Sequence, residues 1–188
     1  ADVNGFTSEE ITAYWCKIPS EHLDVALDVL SDMVKNSIFD EKELEKERNV
    51  IFEEMKMYHD NPSAYVFKEI IKMLYGGSFK IDIIGTTETM KSLSREDLVG
   101  RFRKIYSPEN LILCAVGDCN FDYLVDFAEK HFKSEKGMKI EKPIFEKKNQ
   151  TKIEKRKGLD QANLIFAYHA PLHKEKKNSV AEVLNCLM

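Results

Sequence analysis

Glu43-Leu44-Glu45-Lys46-Glu47-Arg48-Asn49-Val50-Ile51-Phe52-Glu53-Glu54-Met55 decides how this chain is read. Its residues are strong helix formers, and Asp40 with Glu43 three positions on supplies a capping-box-like start. The spacing predicts a helix from there to about Tyr58. Glu47 and Glu54 are seven apart, which at about 100° per residue leaves them within about 20° of each other on its surface. Leu44, Ile51 and Tyr58 fall on the same stripe, so the two carboxylates are expected on a core-facing line. A carboxylate there is costly to desolvate, and each should have a cation, a metal or a dense set of hydrogen bonds. From the pattern alone, a solvated glutamate-rich face remains the commoner explanation, and Glu43, Glu45 and Glu53 suit it.

On the N-terminal side, residues Asn4 to Ile18 mix aromatic and β-branched residues with polar ones, which predicts two strand segments around a Ser8-Glu9-Glu10 turn. Pro19-Ser20 ends the second strand and offers a helix N-cap. Leu23, Ala26, Leu27, Leu30, Met33 and Val34 recur at helical spacing, predicting an amphipathic helix over Glu21 to Lys35. On the C-terminal side, Asn61-Pro62 breaks the glutamate helix, and Ala64 to Leu74 forms the next, stopped by Gly76-Gly77. Thr86 to Met90 reads as a short helical turn. Ser94 with Asp97 caps a helix through Leu98, Phe102 and Ile105, and Asn110 to Val116 reads as a buried strand ended by Gly117-Asp118. Phe121 to Phe132 is helical. Strands and helices in this order around one core are an α+β pattern, an antiparallel sheet packed by helices.

The stretch Lys133 to Lys157 is lysine-dense but carries Gly137, Pro143 and alternating acids, and reads as a solvated linker. Beyond it, Thr151 to Lys157 and Asn163 to Tyr168 flank Gly158 as an expected hairpin, and Val180, Val183, Leu184 and Leu187 begin another helix. The expected division is residues 1–135, a linker at 136–150, and 151–188 as the opening of a second unit cut short.

Composition narrows the function classes. The 188 residues are 43% hydrophobic, enough for one substantial core. With 28 Lys+Arg against 32 Asp+Glu the formal charge is −4, which argues against nucleic-acid or anionic-membrane partners. No apolar stretch approaches the roughly 20 residues that span a bilayer. Cys16, Cys114, Cys119 and Cys186 form no C-x-x-C pair, and Cys16 and Cys114 sit in apolar runs, where a thiol packs as a small hydrophobe. A reducing, cytoplasmic setting is the simpler expectation. His169 and His173 are four apart, but Pro171 between them predicts a loop rather than a helical metal site. His22, His59 and His131 read as surface or helix-end residues.

Three segments together carry a resemblance. They are Asn4-Gly5-Phe6-Thr7-Ser8-Glu9-Glu10-Ile11-Thr12-Ala13-Tyr14 with Ile18-Pro19, Glu45 to Ile51 with Glu54-Met55, and Tyr106-Ser107-Pro108-Glu109-Asn110 with Gly117-Asp118. In order and spacing they are similar to the catalytic half of the pitrilysin/insulinase family of zinc peptidases, the inverzincins. In that family an inverted H-x-x-E-H helix supplies two histidine ligands and a general-base glutamate, and a downstream helix supplies the third ligand. The resemblance implies Glu54 as that ligand and Glu47 as an acidic residue supporting the site from behind. It also implies that Asn4, Gly5, Phe6 and Thr7 form an edge strand against which substrate lies as an added strand. Gly5 stands where alanine is common in the family.

No H-x-x-E-H occurs in these residues, so by resemblance it is expected a few dozen positions before Ala1, and the chain alone is expected to be inactive. The implied whole protein is a zinc metalloendopeptidase of tandem α+β halves. It would cleave peptides or unfolded polypeptides with water activated by Zn2+ and deprotonated by the motif glutamate. A homodimer or a partner subunit is compatible with this. The alternative is a non-catalytic member that binds peptides as a partner subunit, and retention of both Glu47 and Glu54 favours the peptidase.

Overall fold

A computed structural model of the chain describes residues 1–133, 143–158 and 160–187. It is an α+β molecule that divides into two compact units, Ala1–Phe52 with Ile83–Lys142, and Glu53–Asp82 with Pro143–Met188.

In the first unit, β1 (Asp2–Thr7) and β2 (Thr12–Lys17) form an antiparallel hairpin with Gly5 opposite Tyr14. The two-residue loop Glu9-Glu10 is closed by the Ser8 N–H donating to the Ile11 carbonyl at 2.8 Å. A 3-10 turn, Ser20–His22, leads into α1 (Leu23–Lys35), so the helix starts two residues later than Glu21 and Ser20 makes no side-chain cap. The apolar spacing of α1 does what it predicts: Ala26 and Leu27 are buried, with Leu124 of α6 (Phe121–His131) the other buried apolar residue described. Tyr123 on α6 donates its hydroxyl to Asp24 on α1 at 2.6 Å. Phe39 takes φ 50°, a left-handed conformation unfavourable for a phenylalanine. Arg95 holds it there, its guanidinium donating to the Phe39 carbonyl at 2.7 Å and the Ile38 carbonyl at 3.0 Å. Asp40 then caps α2 (Glu41–Asp60), its Oδ1 accepting from the Lys42 and Glu43 N–H groups.

Also in this unit are α4 (Thr87–Ser92) and α5 (Arg95–Ile105), each opened by a reciprocal capping box, Thr86 with Thr89 and Ser94 with Asp97. The buried strand expected at Asn110 to Val116 does not form. Residues 108–110 are a 3-10 turn and 111–116 have no strand partner among the described residues, with Ile112 93% and Val116 96% exposed. An apolar run becomes a strand only by pairing, which its composition does not specify. Cys114, expected to pack as a hydrophobe, is exposed for the same reason.

In the second unit, α3 (Pro62–Leu74) is capped by Asn61, whose side chain accepts from the Ala64 N–H at 3.1 Å. The Gly76-Gly77 stop is more than a terminus: β3 (Tyr75–Gly77) pairs antiparallel with β4 (Phe145–Lys147). Part of the segment read as a solvated linker is therefore tied down by strand pairing, and residues 134–142 of it lie outside the described residues. Gly158 does turn the chain, at φ 81°, but the arms expected to form a hairpin around it do not pair, and Ile153, Leu164, Phe166 and Tyr168 are exposed. The helix expected near the C-terminus is α7 (Asn178–Leu187).

Candidate metal-ligand helix and substrate edge

Helix α2 is continuous from Glu41 to Asp60, with the division between the two units falling after Phe52. The half-buried residues on it are Leu44, Arg48, Ile51, Phe52 and Met55. Taking 100° per residue, the centre of that line lies about 80° from Glu47 and about 100° from Glu54. The expectation that the two carboxylates sit on the core-facing stripe is thus corrected. Both are exposed, on the shoulder of the helix, and neither has a hydrogen-bond or ion-pair partner among the described residues. The two do share one side of the helix, but the packed line lies elsewhere, because Arg48, not a glutamate, is the charged residue drawn inward. Its side chain is 18% exposed, donates to the Leu93 carbonyl at 2.9 Å and pairs with Glu45 at 3.2 Å.

A zinc site takes three protein ligands and a water. Among the described residues no group of three or more His, Cys, Asp or Glu stands close enough to hold a metal ion. These residues therefore do not make up a zinc site by themselves. Glu54 is an unengaged carboxylate suited to one oxygen position, and Glu47 follows the same side of the helix. His169 and His173 do not supply the missing nitrogens: His169 Nε2 is 2.8 Å from the Lys148 carbonyl and its ring packs edge-on to Tyr75, with centroids 5.2 Å apart.

The candidate substrate strand is β1. All six of its residues are exposed and, among the described residues, β2 is its sole partner. Ser8 and Ile11 form a hydrogen-bonded pair, and such pairs alternate along an antiparallel ladder. With the observed register, Val3, Gly5 and Thr7 turn their N–H and C=O groups to the free edge. The Gly5 N–H is accordingly free of the ladder and donates to the Asn4 side-chain oxygen at 2.8 Å.

The second unit holds a charged cluster that the sequence reading missed. Lys152 donates to Glu69 at 2.6 Å and pairs with Glu154 at 3.1 Å, and Lys72 donates to Glu69 at 2.6 Å. Arg156 pairs with Glu154 at 2.8 Å, stacks on the Tyr65 ring at 3.8 Å, and donates to the His59 carbonyl at 2.7 Å, closing the last turn of α2. Tyr65 adds its hydroxyl to Glu154 at 2.9 Å. The hydrogen bond from Arg156, then those from Tyr65 and Lys152, hold the Glu154 carboxyl down to about 2. Burial pushes the Glu69 carboxyl up, but the hydrogen bonds from Lys152 and Lys72 outweigh it and leave it below its ordinary value. The signal was present in the alternation Lys152, Glu154, Arg156, three charges at period two and so on one side of an extended chain.

Comparison with known proteins agrees with the family resemblance. The sequence profile described as Insulinase (Peptidase family M16) matches residues 1–87, and that of the Peptidase M16 inactive domain matches residues 92–188. The chain is 38% identical over 171 residues to a Bacillus subtilis protein named as an uncharacterised zinc protease, YmxG, covering 88% of this chain and 41% of that one. It is 37% identical over 133 residues to the human mitochondrial-processing peptidase subunit beta, covering 70% of this chain and 27% of that one. A protease structure from Helicobacter pylori superposes with a TM-score of 0.70 at 25% identity, over 78% of this chain and 37% of that one. The chain thus spans well under half the length of these relatives. With an α+β fold shared with a solved protease, and profiles that together cover almost every residue, this chain belongs to the insulinase family of peptidases, M16.

Proposed function

We propose that the whole protein to which this chain belongs is a zinc-dependent endopeptidase acting on peptides or unfolded polypeptides. The observation that carries the reading is the pair of exposed, unengaged carboxylates, Glu47 and Glu54, on one continuous helix inside the stretch that matches the insulinase profile. In this reading Glu54 is one metal ligand and Glu47 supports the site by hydrogen bonding. The histidine ligands and the general base lie outside the described residues. Relatives named as zinc proteases support the metal.

The free edge of β1 supports the substrate class. Its outward backbone groups at Val3, Gly5 and Thr7 suit an added peptide strand once the Asn4 side chain releases the Gly5 N–H, and main-chain pairing of that kind tolerates varied side chains. Substrate would lie along Asn4 to Thr7. In the same reading, residues 1–135 are the later part of the first half, 136–150 the linker, and 151–188 the start of a second, inactive-type half.

One relative is named as a subunit, and this chain also matches a domain described as inactive, which favours keeping a second reading: a peptide-binding partner subunit that does not cleave. Hydrolysis of an unstructured fluorogenic peptide by the full-length protein separates the two. The peptidase reading expects cleavage that a chelator abolishes and zinc restores. Peptide binding without cleavage would establish the partner-subunit reading instead.

A further inference from the structure

We infer that Tyr14, anchored by its hydroxyl to Tyr106, is a positioning residue that sets the backbone of the free β1 edge at Gly5. The inference rests on the reading of β1 as the strand that accepts substrate. Gly5 lies opposite Tyr14 in a pair whose backbone groups point away from each other, which brings the two residues' side-chain positions close. A Cβ added at Gly5 would stand 3.2 Å from Tyr14 Cδ1 and 3.0 Å from the Ala13 carbonyl, so the tyrosine ring covers the glycine directly. Glycine has the greatest backbone freedom of any residue, and an aromatic ring across the strand is what restrains it here.

The ring is itself tethered. Its hydroxyl is 2.8 Å from that of Tyr106, whose ring stacks on Phe102 with centroids 4.6 Å apart. Phe102 meets Phe39 edge-on at 5.2 Å, and Phe39 is fastened to α5 through the Arg95 guanidinium. A continuous chain of contacts therefore runs from the exposed edge at Gly5 to the packed side of α5. Burial first, and then the Tyr14 hydrogen bond, pushes the Tyr106 phenol up to about 12, so the Tyr106 hydroxyl keeps its proton at neutral pH.

Without the hydroxyl tether the Tyr14 ring is free to swing and Gly5 loses its restraint. A peptide adding to β1 would then have to order the edge as it binds, a cost that falls on association and not on the chemical step. The expected signature is a change in KM with kcat preserved.

The test uses Tyr14→Phe, Tyr106→Phe and the double variant in the full-length protein, with kcat and KM for an unstructured peptide and a thermal midpoint for each. Phenylalanine keeps both rings, so packing survives. Each single variant is expected to raise KM about fivefold, the fold-change matching the net worth of one hydrogen bond, with kcat within twofold. The double variant should be no worse than either single, because one bond joins the two hydroxyls. KM unchanged in both singles, with the wild type active, overturns the inference alone. So does a fall in kcat that tracks a fall in thermal midpoint, which would make the pair merely structural. A wild type that hydrolyses no peptide overturns the peptidase reading and this inference with it.

Discussion

Replacing Glu69 with glutamine removes the charge at the centre of the second unit's ionic cluster while keeping the shape. The Glu69 side chain is only 14% exposed and accepts from Lys152 and Lys72, both at 2.6 Å. The Lys72 contact is an i,i+3 helical pair, worth about 0.5 kcal/mol at most. The Lys152 contact is a longer-range hydrogen bond between charged groups, worth about 1.5 kcal/mol at the low end of its class because Lys152 is 39% exposed and retains Glu154. Glu69→Gln should therefore destabilise the chain by about 2 kcal/mol at pH 7, read as a lowered midpoint in denaturant unfolding.

The same variant fixes the sign of a pH effect. Glu69 titrates below its ordinary value in the folded state, so its stabilisation is complete above the unfolded carboxylate value, about 4.3, and is lost as pH falls through the folded value. The gap between wild type and Glu69→Gln should narrow in acid. A gap under about 0.5 kcal/mol at pH 7, or one that widens towards pH 3, would refute the reasoning.

Two further expectations follow from burial and exposure. Leu27→Ala empties part of a small core in which Leu27 is 5% exposed, and should cost about 3 kcal/mol by thermal or denaturant unfolding; a loss under 1 kcal/mol would mean that α1 packs elsewhere. Glu47→Gln in the full-length protein should leave folding unchanged and lower peptidase activity about 10- to 100-fold, with less zinc lost than in Glu54→Gln. Equal or greater zinc loss would reverse the roles assigned to the two glutamates.

Where local chemistry decided an element, its residues were enough to read it. The helices α1, α3, α5 and α6 follow their apolar spacing, α2 follows its run of strong helix formers, and the caps at Asp40, Asn61 and Ser94 are made by the short polar side chains that stand there. The β1–β2 hairpin followed from strand composition on either side of the Ser8-Glu9-Glu10 turn, which the structure narrows to a two-residue loop. Long-range pairing was not legible. Residues 111–116 are as apolar as a strand yet have no strand partner among the described residues, whereas Tyr75–Gly77, a glycine-rich stop signal, pairs with Phe145–Lys147 far along the chain. On α2 the helical angle between Glu47 and Glu54 was readable, but which side of the helix faces the core was not. That depended on Arg48 finding the Leu93 carbonyl 45 residues away. The clamp of Arg156 on Tyr65 and His59 was hidden for the same reason.

The most direct test of the account is metal analysis and peptide hydrolysis on full-length Glu54→Gln beside wild type. Glu54 is exposed and has no partner to lose among the described residues, so the substitution should leave unfolding within about 0.5 kcal/mol of wild type. A neutral amide is a poorer zinc ligand than a carboxylate, so bound zinc and hydrolysis should fall together. Full zinc content with full activity in a normally folded Glu54→Gln protein would contradict the claim that this helix carries a metal ligand.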